Sequence, residues 1–396
     1  MTTQNHLYLT LLSMINLGQW KDVRHARCFC DMLCGLLQSG KISLTHWRAY
    51  SQSEASQAQS FQRRYHRWFH NPAIVVERIS RRLLLEVVTP LLGDVVYLGL
   101  DTTVIWNKYC QARFVLIYRG RAIPLAWKTV EHSSSSLAYD VYAPLLDQVD
   151  SLFPKNQKRV LLADRGFGVI EWMQHCQRLG WEFHIRIKGK IYFYLQEFGC
   201  PIAHMIPQKR GEGRFLHFVK IGHKQVGYFH LALAKPRGTQ ETWMIVSSLK
   251  TGIHTFEEYG RRFDMEENFL DDKSNGFGGE STRMDSAQTH QKLTLLRAVA
   301  TLYFVTQGTH VVEQKKRRWV DPHWDRGASY FKIGWQWGLT AIQKQWDLIQ
   351  EWNPLKNDWD DKVYSSRKNK KLKQKKLEKR ITDYWTEDFV NLVSTS

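Results

Sequence analysis

Nowhere among the 396 residues is there an unbroken apolar run of the roughly 18 residues that a membrane span requires. The best candidate, Val87 to Leu100, is broken by Pro90, Gly93 and Asp94. The opening MTTQNHLYLT lacks a basic stretch, an apolar core and a small-residue cleavage site, so a soluble, cytoplasmic protein with no membrane role is expected. Cysteine is scarce as well. Six in the whole chain cannot build a disulfide framework, and a reducing compartment is the expectation. Acids are in deficit: 38 Asp and Glu stand against 56 Lys and Arg, leaving a net charge of +18. Such a surplus implies a polyanionic partner, because each cation placed on a phosphate releases counterions.

What is present is a core. A hydrophobic share of 43% over this length excludes wholesale disorder and suffices for two or three domains. The positive charge is uneven. The stretch RKNKKLKQKKLEKR, Arg367 to Arg380, carries nine basic residues and one acid, so +8 of the +18 sits in fourteen positions. It suits a disordered tail, a nonspecific DNA clamp or a helix ordered on DNA, and charge alone does not choose among them. Sixteen Trp and sixteen Tyr supply either core filling or stacking surfaces for bases.

The pattern along the chain predicts an α/β protein. Residues 1–88 read as helical, and in SFQRRYHRWFHNP the cations Arg63, Arg64 and Arg67 interleave with Phe61, Tyr65, Trp68 and Phe69. That is either a DNA-contacting helix or an ordinary solvated face. From residue 89 to 189 the order is three strands (DVVYLGLDTTVIW, ARFVLIYRG, RAIPLAWKTV), a helix, the strand RVLLAD, a helix and the strand WEFHIRIKG. This order suits a mixed sheet covered by helices, a ribonuclease H-like core. Residues 190–250 keep a β texture with different punctuation and read as an insertion. A second part of the core is expected over 251–312, and a helical C-terminal region with the basic tail over 313–396. There, Leu339, Ile342, Trp346 and Ile349 fall at heptad-like spacing.

The stretch YGRRFDMEENFLDDK, Tyr259 to Lys273, carries the chemistry. At about 100° per residue, Tyr259, Arg262, Glu266 and Lys273 fall within an arc of roughly 60° on a helix, beside an apolar stripe of Phe256, Phe263 and Leu270. A carboxylate flanked by two cations and a phenol suits a phosphodiester site, where the acid holds a metal and the cations bind phosphate oxygens. A surface ion-pair ladder, Arg262 with Glu266, is the plain alternative.

Two further acids favour the site. Asp101 closes the apolar run VVYLGLD and Asp164 closes RVLLAD, just before a Gly-containing turn. Acids at the ends of buried strands are costly unless a cation compensates them. Two Asp and one Glu offer only oxygen, which favours Mg²⁺ or Mn²⁺ over zinc. With two ions about 4 Å apart, one activates a water or 3′-hydroxyl and the other stabilises the leaving oxygen.

These residues resemble the DDE transposases of bacterial insertion sequences, specifically the insertion sequence 4 family, whose signature is Y-x2-R-x3-E-x6-K. Tyr259, Arg262, Glu266 and Lys273 meet every specified position. LDTT around Asp101 and ADRGF around Asp164 resemble the first and second Asp motifs of that family. The resemblance implies a ribonuclease H-like core split by a β-rich insertion, with Asp101, Asp164 and Glu266 as catalytic metal ligands. It implies Mg²⁺-dependent cutting and joining of double-stranded DNA, at terminal inverted repeats and in target DNA, by a dimer in a synaptic complex. Where such elements excise through a hairpin, Tyr259, Arg262 and Lys273 would contact phosphates near the cut end, and Trp243 would receive a flipped base. Core filling is the other role open to Trp243. A metal nuclease without strand transfer and a non-catalytic DNA-binding descendant are the rival functions.

Two other signals point to structure. His25, Cys28, Cys30 and Cys34 crowd together but lack a matching second pair and sit in a helical segment, where buried cysteines are common. Ser133 to Ser136 reads as a loop.

Overall fold

The structure is a computed structural model describing residues 3–16, 18–53, 55–89, 93–262, 265, 277, 284–322, 328–350 and 380–388. Along the chain come helices α1 (Thr3–Ile15), α2 (Val23–Ser39), α3 (Ala58–His70) and α4 (Val76–Val88). Strands β1 (Val95–Ile105), β2 (Tyr109–Tyr118) and β3 (Arg121–Glu131) follow, then α5 (Tyr139–Asp150), β4 (Lys158–Ala163), α6 (Ile170–Arg178) and β5 (Glu182–Arg186). The β-rich stretch contributes β6 (Tyr192–Leu195), β7 (Phe198–Pro201), β8 (Glu212–Ile221), β9 (Val226–Lys235) and β10 (Trp243–Ser247). The chain then forms α7 (Ile253–Gly260), α8 (Ala287–Glu313), α9 (Tyr330–Lys344) and β11 (Asp383–Asp388). The fold is ribonuclease H-like: a mixed parallel and antiparallel sheet with helical amino- and carboxy-terminal regions. No described helix is long and apolar enough to cross a membrane.

Two compact units divide the chain. The first comprises Met1–Gly93, Thr102–Lys155 and Asp264–Ser365. Its centre is α8, which is buried at nearly every position from Thr289 to Val311, as expected of a helix packed on all sides. Ser286 caps its start by accepting from the Thr289 backbone N–H. Two glycines let α9 cross α8 at backbone contact. A Cβ on Gly308 would lie 1.9 Å from Tyr330 O, and one on Gly334 would lie 1.8 Å from Phe304 O. Helix α3 is tied to α8 by Lys292, whose buried ammonium donates to Phe69 O at 2.8 Å and Asn71 O at 2.7 Å. Burial pushes this amine down to about 8. Strands β2 and β3 form a hairpin closed by Arg119 and Gly120, both at positive φ, the conformation a two-residue hairpin turn requires.

Cys28, Cys30 and Cys34 are buried apolar positions on α2, and burial pushes the Cys28 thiol up to about 12. The heptad-like run in the C-terminal region does not continue as one helix. Gln345, at φ 55°, ends α9 at Lys344, and Leu348 and Ile349 are buried in irregular chain held by Gln307 Nε2 on Ile349 O at 2.7 Å.

The second unit comprises Asp94–Asp101, Asn156–Phe263 and Ser366–Ser396. Within it the strand order is β1-β4-β5-β10-β9-β8-β6-β7, and β11 adds in parallel to β8. Of the three parallel strands, β1 and β4 carry near-continuous apolar runs (VVYLGL and VLLA), the composition expected of a sheet covered on both faces, and β5 buries Phe183, His184 and Ile185. Strand β10 pairs antiparallel with β5, so the β-rich stretch extends the core sheet. Strands β7 and β11, short and rich in polar or small residues, were not apparent from patterning.

Candidate active site

The register of β1 on β4 places two carboxylates side by side. Leu100 pairs with Ala163, so Asp101 and Asp164 occupy the next step of two adjacent parallel strands, which run roughly 4.8 Å apart. Asp101 does not end its strand. It lies within β1, at the point where full burial gives way to partial exposure. Asp164 follows the last residue of β4 and caps a short 3-10 turn over Arg165–Phe167, with its carbonyl accepting from Phe167 N at 2.9 Å.

Helix α7 carries Tyr259, the first residue of the Tyr/Arg/Glu/Lys motif, and ends at Gly260, short of the continuous helix expected through Lys273. Phe256 and Tyr259 bury one side of it in an apolar cluster with Phe215, Ala232, Ala234, Ile245 and Ile381. The turn after the helix carries Arg262, whose Nη1 donates to Asp101 Oδ2 at 3.0 Å. The guanidinium also lies 5.8 Å from the centre of the Tyr259 ring. Tyr259 is 7% exposed, and no described residue hydrogen-bonds its hydroxyl. Burial raises its pKa strongly, Arg262 and Arg186 act against that rise, and the Asp164 charge adds to it. Asp101, Asp164, Tyr259 and Arg262 therefore converge. Glu266 and Lys273 lie outside the described residues, as do Phe263 and Leu270.

The donor set suits a hard cation. Asp164 Oδ1 is a buried acceptor that no described residue satisfies, the condition a metal ion relieves. Both carboxylates offer oxygen only. Among the described residues no group of three His, Cys, Asp or Glu side chains is arranged to hold a metal, and Glu266 is not among them.

A network beside the site was not anticipated. His184 on β5, fully buried, donates through Nε2 to Glu258 Oε2 on α7 at 2.7 Å. Burial would raise the Glu258 carboxyl, but the hydrogen bond and charge of His184, with His254 and Arg261, outweigh it and hold the group below its ordinary range. Arg261 lies 4.5 Å over the ring of Tyr97 on β1. Burial and the Glu258 charge push the Tyr97 phenol up to about 12, against Arg261. These contacts fix α7 one residue away from Tyr259. Only the pairing of β5 with its neighbours brings His184 there, and no local motif announces it.

Of the other predicted contacts, Trp243 packs on the same apolar cluster as Tyr259, and Arg63, Arg64 and Arg67 belong to the first unit. Trp243, at the start of β10, is partly buried, with its ring 5.4 Å from Phe256. On α3, Arg63 and Arg67 are exposed and line a groove of about 560 Å³ with Ser60, Gln62 and His66. Arg64 does not share that face. It is drawn to the buried Asp31 at 2.6 Å and donates to Ser51 Oγ at 3.0 Å.

Residues 102–303, just over half of the chain, match the model of the family described as "Transposase DDE domain". The chain belongs to the DDE transposase family. The matched region contains Asp164, Trp243, Tyr259, Arg262, Glu266 and Lys273, and it begins one residue after Asp101. Among solved structures, this transposase-family chain is similar to one described as "Cryo-EM structure of piggyBac transposase synaptic complex with hairpin DNA (SNHP)". Identity there is 10%, over 86% of this chain and 79% of that one, with a TM-score of 0.46. No curated protein matches the chain.

Proposed function

We propose that this DDE-family protein is a transposase of the insertion sequence 4 type, which cleaves the ends of its element and joins them to target DNA. The observation that carries this is the adjacency of Asp101 and Asp164 at the ends of neighbouring apolar runs, with one buried Asp164 oxygen that no described residue satisfies and Arg262 and Tyr259 beside them. Asp101, Asp164 and Glu266 would hold Mg²⁺, or Mn²⁺ in its place, as two ions. Bound there, the ions supply Lewis-acid stabilisation of the charge that builds on the phosphate oxygens.

The protein's own side chains do the positioning. Arg262 now neutralises Asp101. Its fork of donors is well shaped for a non-bridging phosphate oxygen, and Arg262 would bind one beside the carboxylates. Lys273 provides a second cation from the same motif. Tyr259, kept protonated by burial, donates its hydroxyl to the DNA end and does not act as a base. Trp243 stacks on a base flipped from that end, worth about 1–3 kcal/mol, which offsets much of the unstacking cost. Arg63 and Arg67 on α3 meet backbone phosphates of the terminal inverted repeat, and a homodimer holds the two ends in the synaptic complex.

The test is to incubate the purified protein with Mg²⁺ and duplex DNA carrying the ends of its own element, then separate the products on a denaturing gel. Nicked, hairpin and joined species are expected. Cleavage without joined product would make it a nuclease, and binding without cleavage would make it a non-catalytic descendant.

A further inference from the structure

A second cluster of aromatics and cations lies far along the chain from these residues, within the first unit. Helix α8 ends in a turn where Lys315 N bonds Val312 O and Lys316 N bonds Val311 O, the paired bonds of a helix end that glycine usually closes. Here the left-handed position is taken by Lys315, at φ 58°. The next residues, Arg317–Trp319, form a 3-10 turn that presents Trp319 with 59% of its surface exposed.

Trp319 is braced from behind. Its ring centre lies 5.4 Å from that of Trp346 and 6.3 Å from that of Trp337, and the latter two are 5.4 Å apart. Cations surround the cluster. Lys316 Nζ sits 5.8 Å from the Trp319 ring and 5.5 Å from that of Trp337, and Lys344 Nζ sits 5.1 Å from that of Trp346. Lys315 and Arg318 are exposed on the same turn. Of the nearby acids, Asp321 is paired with Arg317 at 2.9 Å, Glu313 lies 3.6 Å from His310, and Asp347 is exposed.

An indole held upright by two others, inside a collar of lysines, matches a ligand with a flat π face and negative charges a few ångströms away. An unpaired nucleotide has both, since every base can stack and every linkage carries a phosphate. We propose that the Lys315–Trp319 turn, with Lys344, is a DNA-contact site that stacks one unpaired base on Trp319 and holds the flanking phosphates. This rests on the proposed DNA-processing function, which generates unpaired bases at cleaved ends. An intact duplex hides its base faces and would use only the lysines.

Fluorescence anisotropy of the full chain with a labelled 15-nucleotide single strand, and with the same sequence as a duplex, tests it. Trp319→Ala is expected to weaken single-strand binding by about 5- to 100-fold and duplex binding by less than about 2-fold. Trp319→Leu, which keeps an apolar contact with Trp337 and Trp346, should behave like the Ala variant, whereas Trp319→Phe should retain most of the affinity. Lys344→Gln should flatten the salt dependence on single strands by about 0.7 in log–log slope. Single-strand binding within 2-fold of the parent for both Trp319→Ala and Trp319→Leu would overturn the site. So would displacement of the oligonucleotide by poly-glutamate as effectively as by unlabelled single strand, which would mark a surface for acidic peptides. If the parent protein bound neither DNA, the proposed function would fail along with it, and that result is distinct from a loss confined to the variants.

Discussion

Arg262 Nη1 meets Asp101 Oδ2 at 3.0 Å, tying the turn after α7 to the point on β1 where the strand emerges from the core. The Arg262 side chain is 6% exposed and that of Asp101 19%, so neither charge is freely solvated. Under the proposed function, each group would hold the other in place for a different ligand, a cation for the carboxylate and a phosphate for the guanidinium. Arg262→Gln should cost about 1–3 kcal/mol of stability in urea unfolding and lower DNA-end cleavage at least tenfold. A variant with parental stability and cleavage would show that the pair is incidental.

The His184–Glu258 contact gives a pH signature. The folded-state pKa of Glu258 lies below its ordinary value, so its stabilisation is fully present above that value and fades as pH falls through the folded pKa. Glu258→Gln should therefore be less stable than the parent at pH 7, with the gap closing under acid conditions below about pH 4. Thermal melts across pH 3–7 measure it, and a gap that stays constant over this window would remove the carboxylate from the account.

The start of the core was legible in the sequence because β1 and β4 are apolar runs that Asp101 interrupts and Asp164 follows. VVYLGLD and RVLLAD announced β1, β4 and the neighbouring carboxylates, whereas the single helical stripe expected from Tyr259 onward is interrupted, since α7 ends at Gly260 and Arg262 sits in the following turn. Side-chain partnerships between distant segments were not legible. Arg64 has the same surroundings in sequence as Arg63 and Arg67, yet it turns inward because the buried Asp31, 33 positions away, needs a partner. His184 meets Glu258 only through sheet pairing across 74 positions. The α9 heptads failed for a local reason: a left-handed residue at Gln345 ends the helix in mid-pattern.

The α8–α9 crossing should tolerate no side chain at its closest point. With a Cβ placed 1.9 Å from Tyr330 O, Gly308→Ala must push the helices apart and forfeit their packing. A loss of about 3 kcal/mol or more is expected, read as a lowered urea midpoint. Retention of the parental midpoint would mean that the helices can separate at little cost.

Trp243 has two candidate roles that one pair of variants separates. Its packing on Phe256 would survive in Trp243→Phe, whereas Trp243→Ala loses both the packing and the stacking surface. If the ring receives a flipped base, Trp243→Ala slows hairpin formation or resolution more than first-strand nicking, and Trp243→Phe restores part of that loss. Equal slowing of every step, tracking thermal stability, would leave the residue with packing alone.

The most direct test of the central claim is Mg²⁺-dependent cleavage of an element-end duplex by Asp101→Ala, Asp164→Ala and Glu266→Ala, with DNA binding measured in parallel. Each variant should bind DNA with near-parental affinity and yield no detectable nicked product. Parental cleavage by Asp164→Ala, which deletes the buried oxygen that no described residue satisfies, would contradict the account.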